Sequence, residues 1–137
     1  MNLSLAGCGF LGLYHLGVVS CLKEHAPQFV RSLRSVSGAS AGALCGLVLL
    51  VDCPLGLITN EMMKVAKQLR SSSLGPYSPN FNITKTLTTM LNDFAPDNVH
   101  QIVSGRLFVS LTRLSDMQNV MISEFHSKND LIEVNNQ

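Results

Sequence analysis

A serine with a glycine two residues to either side, Gly38-Ala39-Ser40-Ala41-Gly42, stands between a short apolar run and an unbroken stretch of small and apolar residues, Ala41 to Val51. Nucleophilic chemistry gives each position a reason. The hydroxyl must project from a sharp strand-to-helix turn to reach a substrate, and flanking glycines let the backbone turn and let neighbouring segments come close. A helix that starts at Ser40 directs its positive end at the reacting centre. The motif by itself is ambiguous, because clusters of small residues at strand–helix turns also arise for packing alone.

A second glycine motif, Gly7-Cys8-Gly9-Phe10-Leu11-Gly12, lies upstream, its last glycine 28 residues before Ser40. Three readings compete. A dinucleotide fingerprint wants an acidic residue about 20 residues past the glycines, at the end of the second strand. That position falls in Val36-Ser37-Gly38, with Glu24 too early and Asp52 too late. A phosphate-binding P-loop is excluded, since no Gly-Lys-Ser/Thr follows. The remaining readings are a packing turn, or an oxyanion loop whose backbone N–H groups hold the negative charge that develops on a substrate carbonyl oxygen. The two motifs together say more than either alone. Each follows a strand, and in a parallel sheet both loops leave by the same edge, which makes a nucleophile and an oxyanion site neighbours.

The elements needed to place them are legible. Leu3 to Ala6 predicts a strand, about Phe10 to Glu24 a helix ending near Pro27, Leu33 to Ser37 a strand, and Ala43 to Val51 a buried helix stopped at Cys53-Pro54. Leu55, Ile58, Met62, Val65 and Leu69 recur at helical spacing, and Ile83, Leu87, Met90, Leu91 and Phe94 do the same after the loop Leu74 to Asn80. Asp97 is a candidate N-cap for a short helix to about Ser104. Leu107 to Thr112 alternates as a strand does, Val120 to Phe125 predicts its partner, and Ser127-Lys128-Asn129-Asp130 opens a last helix as a capping box. The order predicts an α/β layered fold with a largely parallel central sheet of about four strands.

Composition narrows the class. The 137 residues are 46% hydrophobic and 14% charged, against roughly a quarter charged in ordinary soluble domains. Such a chain is not disordered; its surface is given to something other than water, or it is part of a larger protein. A net charge of +1 with scattered Lys and Arg argues against a nucleic-acid partner. Cys8, Cys21, Cys45 and Cys53 lack CxxC pairing and metal-ligand spacing, which predicts no metal and buried thiols. Met1 to Leu22 imitates a signal peptide, but it has no basic start and Gly7, Gly9, Gly12 and Gly17 interrupt it. Ala41 to Val51 falls short of the roughly 20 residues a membrane span needs.

In combination, Ala6 to Gly12 and Gly38 to Gly42, with the later segments Leu74-Gly75-Pro76, Ser104 to Leu107 and Ser127 to Ile132, resemble the patatin-like phospholipase family, in its adipose triglyceride lipase and adiponutrin branch. The resemblance runs to about Val134. It implies a three-layer α/β/α fold, a Ser–Asp dyad with Ser40 as nucleophile, and an oxyanion loop over Gly7, Gly9, Phe10, Leu11 and Gly12. It implies no cofactor, acylglycerol or phospholipid substrates, a lipid-droplet or membrane surface in the cytoplasm, and a protein co-activator. The family's aspartate sits in an Asp-Gly motif, and no Asp here precedes Gly. Residues 1–137 are therefore expected to form a partial, C-terminally truncated domain that lacks the dyad aspartate.

The remaining residues have plainer readings. His15 is expected on a helix surface, and His25, His100 and His126 in solvent. The Leu55 to Leu69 stripe reads as core before lipid-facing surface, and Cys8 as a space-filling side chain. Beside the hydrolase stand two rivals: a non-catalytic lipid-associated or partner-binding module, and a nucleotide-binding βαβ protein.

Overall fold

The computed structural model describes residues 1–51, 53–71 and 83–135. Strand β1 (Asn2–Leu5) leads through a 3-10 turn at Gly9–Leu11 into α1 (Gly12–His25) and the short α2 (Pro27–Ser32). Then come β2 (Ser35–Gly38), α3 (Ala41–Leu50) and α4 (Leu55–Ser71). After the undescribed segment follow α5 (Ile83–Phe94), α6 (Val99–Val103), β3 (Leu107–Arg113), β4 (Gln118–Ile122) and α7 (Lys128–Asn135).

The sheet order is β1-β2-β3-β4, with the first three strands parallel and β4 returning antiparallel from β3. Both parallel crossovers step one strand in the same direction. With the usual right-handed connection, α1 and α3 then fall on one face. Leu5, Val36, Leu107 and Val109 point to that face and are buried. The other face carries Ser4, Ser37, Phe108 and Ser110, with Ser4 exposed. Among the described residues no second helix lies across it as α3 lies across its own, so the second helical layer of a three-layer arrangement is not seen in them.

Helix α3 is apolar all round, as a helix in the middle of a core must be. Ala41 to Ala43 and Cys45 to Leu49 are buried. It lies so close to the sheet that a Cβ on Gly46 would stand 2.9 Å from Val36 Cγ1 and 3.2 Å from Leu107 Cδ1. Its last carbonyls are met from outside: Lys23 Nζ donates to Val51 O at 2.6 Å. The α4 stripe belongs to the core, with Ile58 and Val65 buried and Leu55 and Met62 packed against the cluster.

Several expectations shift. Pro27 does end α1, but it also opens α2, where its fixed φ suits the first helical position. Asp97 is not an N-cap: α6 starts at Val99 after Asn98, and Asp97 is exposed, 3.8 Å from Lys128 Nζ. That lysine donates to the carbonyls of Asn92 and Ala95 and so closes α5. Strand β4 begins two residues earlier than expected, because Gln118 already pairs with Arg113. Phe125 lies beyond it, buried, its N–H donating to Ser104 Oγ. His100 is half-buried rather than solvated, with Nδ1 buried and without a partner among the described residues. Cys45 and Cys53 are buried, but Cys8 is half-buried and Cys21 exposed. The loop Leu74 to Asn80 lies outside the described residues.

Half of the capping box forms: Asp130 N–H donates to Ser127 Oγ at 3.0 Å, but Asp130 Oδ2 accepts the N–H of His126, one residue before the cap, at 2.9 Å. Helix α7 buries Leu131, Ile132 and Val134 through this start. Ser127→Ala should lower unfolding free energy by about 1 kcal/mol in urea denaturation; an unchanged midpoint would show that α7 docks without its cap.

Candidate functional site

Register brings the two glycine motifs together. Leu5 at the end of β1 pairs with Gly38 at the end of β2, so the loops after them leave the sheet side by side. Their backbones touch. A Cβ on Gly7 would stand 3.2 Å from the Ala39 carbonyl oxygen, and one on Gly12 would stand 3.1 Å from Ala41 Cβ. Gly42 lies against the carbonyls at the end of β1, where a Cβ would approach Ala6 O to 2.6 Å and Leu5 O closer still. Gly38 faces its own turn, 2.5 Å from a Cβ position to Gly42 C. No side chain larger than hydrogen fits at Gly38 or Gly42 without moving backbone.

Ser40 is the hinge of this arrangement. It is exposed, with φ 51° and ψ −126°, a conformation that L residues rarely adopt. Serine at a helix start ordinarily has an extended backbone and hydrogen-bonds the first turn through its hydroxyl. Here the twisted backbone prevents that, and the hydroxyl makes no capping bond. The turn is closed instead by main chain, with Gly42 N–H donating to Ala39 O and Ala43 N–H to Ser40 O, each at 2.9 Å. The Ala41 N–H, in the first turn of α3, has no acceptor within its own helix.

The first loop is pinned at several points. Leu11 N–H donates to Cys8 O at 3.1 Å, and Gly9 has φ +54°, which demands glycine although the space around it is open. His15 Nε2 lies 3.1 Å from Ala6 O. Its ring is thereby spent on the root of the loop rather than offered to Ser40. Phe10 and Leu11 belong to the 3-10 turn, and Leu11 is exposed. The Cys45 thiol, from inside α3, donates to Gly12 O at 3.6 Å. Burial, with a smaller contribution from Cys8, pushes that thiol up to about 12, so it stays protonated and acts as a packing group.

Behind the turn an apolar cavity of about 50 Å³ lies between α1, α3, α4 and α5. Gly12 and Ala41 line it beside Leu16, Leu44, Ile58 and Met90. It therefore begins at the two residues that adjoin the loop and the serine. Among the described residues the Ser40 hydroxyl has no hydrogen-bonding partner, and no His, Cys, Asp and Glu cluster could hold a metal ion. No helix among them is long and apolar enough to cross a membrane.

A strand–turn–helix serine locked against a glycine loop defines the class, and residues 3–134 match the patatin-like phospholipase family. The chain belongs to that family. Over 134 residues it is 48% identical to patatin-like phospholipase domain-containing protein 2 of Rattus norvegicus, covering 98% of this chain and 28% of the relative. A 1-acylglycerol-3-phosphate O-acyltransferase of Mus musculus is 46% identical over 132 residues, 96% of this chain and 32% of its own length. Patatin-like phospholipase domain-containing protein 4 of Homo sapiens is 36% identical over 135 residues, 98% of this chain and 53% of its own. The chain thus spans from under a third to about half of the relatives it matches. No solved structure matches it. Family membership leaves the nucleotide-binding reading without support.

Two measurements test this packing. Gly42→Ala should cost about 1–3 kcal/mol or more of stability, since the added methyl meets backbone that cannot move aside; a neutral effect would mean the loops are not interlocked. The Cys45 thiol should make stability fall as pH rises from 9.0 toward about 12, because the unfolded chain ionises it first and the folded chain resists. Cys45→Ser should flatten that alkaline limb, and an unaltered limb would assign it to other groups.

Proposed function

We propose that Ser40 is the nucleophile of an acyl-ester hydrolase of the triacylglycerol lipase or phospholipase type, with Gly7 to Gly12 as its oxyanion loop. The observation that carries this reading is the exposed Ser40 at positive φ, its hydroxyl withheld from the helix it begins. Backbone in so sparse a region costs on the order of 1–3 kcal/mol and persists where surrounding structure enforces it. A lipid-associated module without catalysis would have no use for that strain.

In this scheme the Ser40 oxygen adds to the ester carbonyl carbon while a base accepts the hydroxyl proton. The carbonyl oxygen takes the negative charge, facing the Ala41 N–H and the main chain of the Gly7 to Gly12 loop. Collapse releases the alcohol and leaves an acyl-serine, which water then cleaves. The apolar cavity beginning at Gly12 and Ala41 suits the acyl chain's first carbons. Because one relative is named an acyltransferase, transfer of the same acyl group to a lysolipid hydroxyl is the second reading.

A serine hydroxyl is a poor nucleophile without a base. By the family resemblance that base is an aspartate followed by glycine, a pair these 137 residues do not contain. Without such a base, Ser40 should hydrolyse esters about 10²–10⁴-fold more slowly than with one. The substrates so inferred are acylglycerols or phospholipids at a lipid-droplet or membrane surface on the cytoplasmic side, with a protein co-activator.

The test is a chimaera carrying residues 1–134 in place of the matching segment of the rat relative. It should hydrolyse acylglycerol, and Ser40→Ala should lower turnover by at least about 10³-fold. A chimaera whose rate survives Ser40→Ala would remove Ser40 as nucleophile.

A further inference from the structure

Strand β3 does not stop at the level of the serine turn. Val109 pairs with Gly38, and β3 continues to Arg113, four residues further along the edge from which the two loops leave. At roughly 3.3 Å per residue the hairpin projects about 13 Å beyond that level. Its tip, residues 114–117, joins Arg113 to its partner Gln118. Leu114 there is 86% exposed, more than any other large apolar side chain among the described residues, and Met117 is 69% exposed.

The tip is braced by its own polar groups. The Met117 N–H donates to Arg113 O at 2.8 Å. The Arg113 guanidinium meets the Asp116 carboxylate through Nε at 3.0 Å and Nη2 at 2.5 Å, and Asp116 Oδ1 accepts the Gln118 N–H. The two charges cancel, and the apolar side chains are left as the projecting groups. Met117 has φ 57°, the left-handed region where a bulky residue is an outlier and glycine would sit without strain. The turn thus tolerates strain at a position that carries an exposed thioether. Leu11, in the glycine loop, and Tyr14, in the first turn of α1, are 73% and 75% exposed at the same sheet edge.

We propose that the β3–β4 tip is an interfacial anchor, inserting Leu114 and Met117 into a lipid surface so that the serine edge faces the lipid. The choice of lipid as occupant rests on the acyl-ester reading above. It is favoured over a protein partner by size, because the two projecting apolar side chains of the tip offer far less than the roughly 800 Å² per partner that a stable protein interface buries. With Arg113 neutralised by Asp116, insertion is driven by apolar burial and needs no anionic headgroup. Binding should then be nearly independent of salt.

The experiment is flotation of the chain with phosphatidylcholine vesicles and with phosphatidylcholine-coated triacylglycerol emulsion, at low and high salt. Wild type should float with both, at both ionic strengths. Leu114→Ser with Met117→Gly should weaken partitioning by about tenfold per side chain removed. Because Met117→Gly relieves the positive φ, its Tm should not fall, which separates lost docking from lost folding. Leu57→Ser, which removes another exposed side chain on α4, should float as wild type does. Ser40→Ala should also float normally, so that a failed nucleophile assignment leaves this result standing. The anchor is overturned if the double variant floats like wild type, if wild type fails to float, if binding collapses at high salt, or if the tip substitutions instead abolish self-association of the chain.

Discussion

Everything at the serine edge depends on how closely two backbones approach. Gly42, in the first turn of α3, rests on the carbonyls of Leu5 and Ala6 at the end of β1. Any side chain there would push helix and strand apart, and with them the loop that each carries. The contact couples residues 37 positions apart in sequence, Leu5 and Gly42, and sets the serine turn against the glycine loop. Gly7 against Ala39 and Gly12 against Ala41 repeat the coupling on either side. Preorganised N–H groups stabilise developing charge only if they need not move when it forms. An interlock made of main chain satisfies that requirement better than one made of flexible side chains.

Much of this was legible before any coordinate, and the reasons differ by element. The turn Gly38 to Gly42 and the loop Gly7 to Gly12 were visible because glycine spacing reports backbone geometry directly. Helix α3 was visible because an unbroken run of small and apolar residues, too short to span a membrane, reads as a buried helix. The parallel placement followed from element order. What could not be read was pairwise and local. No periodicity marks a helix as short as α2, and Pro27 reads equally as a stop and a start. Asp97 has the right chemistry for a cap, but Asn98 occupies the position. Cys45 sits in a helix buried nearly all round, whereas Cys21 lies on the exposed side of α1, and α1 has too weak an apolar stripe to show which side that is. The positive φ of Met117 has no signature at all, because sequence rules reserve that conformation for glycine or asparagine.

The strain at Ser40 and that at Met117 are held by different means. Ser40 is fixed by tertiary contact, since Ala39 and Ala41 beside it pack against Gly7 and Gly12, and Gly42 rests on the end of β1. Met117 is fixed locally, by a salt bridge and two hydrogen bonds inside one turn. Local fixation by exposed groups is weak. Arg113 holds the Asp116 carboxyl below the ordinary carboxylate range, so this bracing is present at neutral pH and is lost only as pH falls through that lowered value. The hairpin therefore keeps this bracing at neutral pH.

If Ser40 is the nucleophile proposed above, its surroundings also decide the direction from which a proton acceptor must come. On the inner side lie glycine backbones and an apolar cavity. An ionised carboxylate placed there would lose its hydration with no donor to replace it, at a cost of several kcal/mol. The same environment already drives the Cys45 thiol to keep its proton. On the outer side Ser40 is exposed, and a carboxylate can remain partly solvated and ionised while reaching the hydroxyl. In the proposed mechanism the serine turn itself would keep acyl chain and base apart, the chain on the dry side and the charge on the wet side. In that mechanism a serine at the boundary of the two serves both through a backbone held as that of Ser40 is held, at φ 51° and ψ −126°.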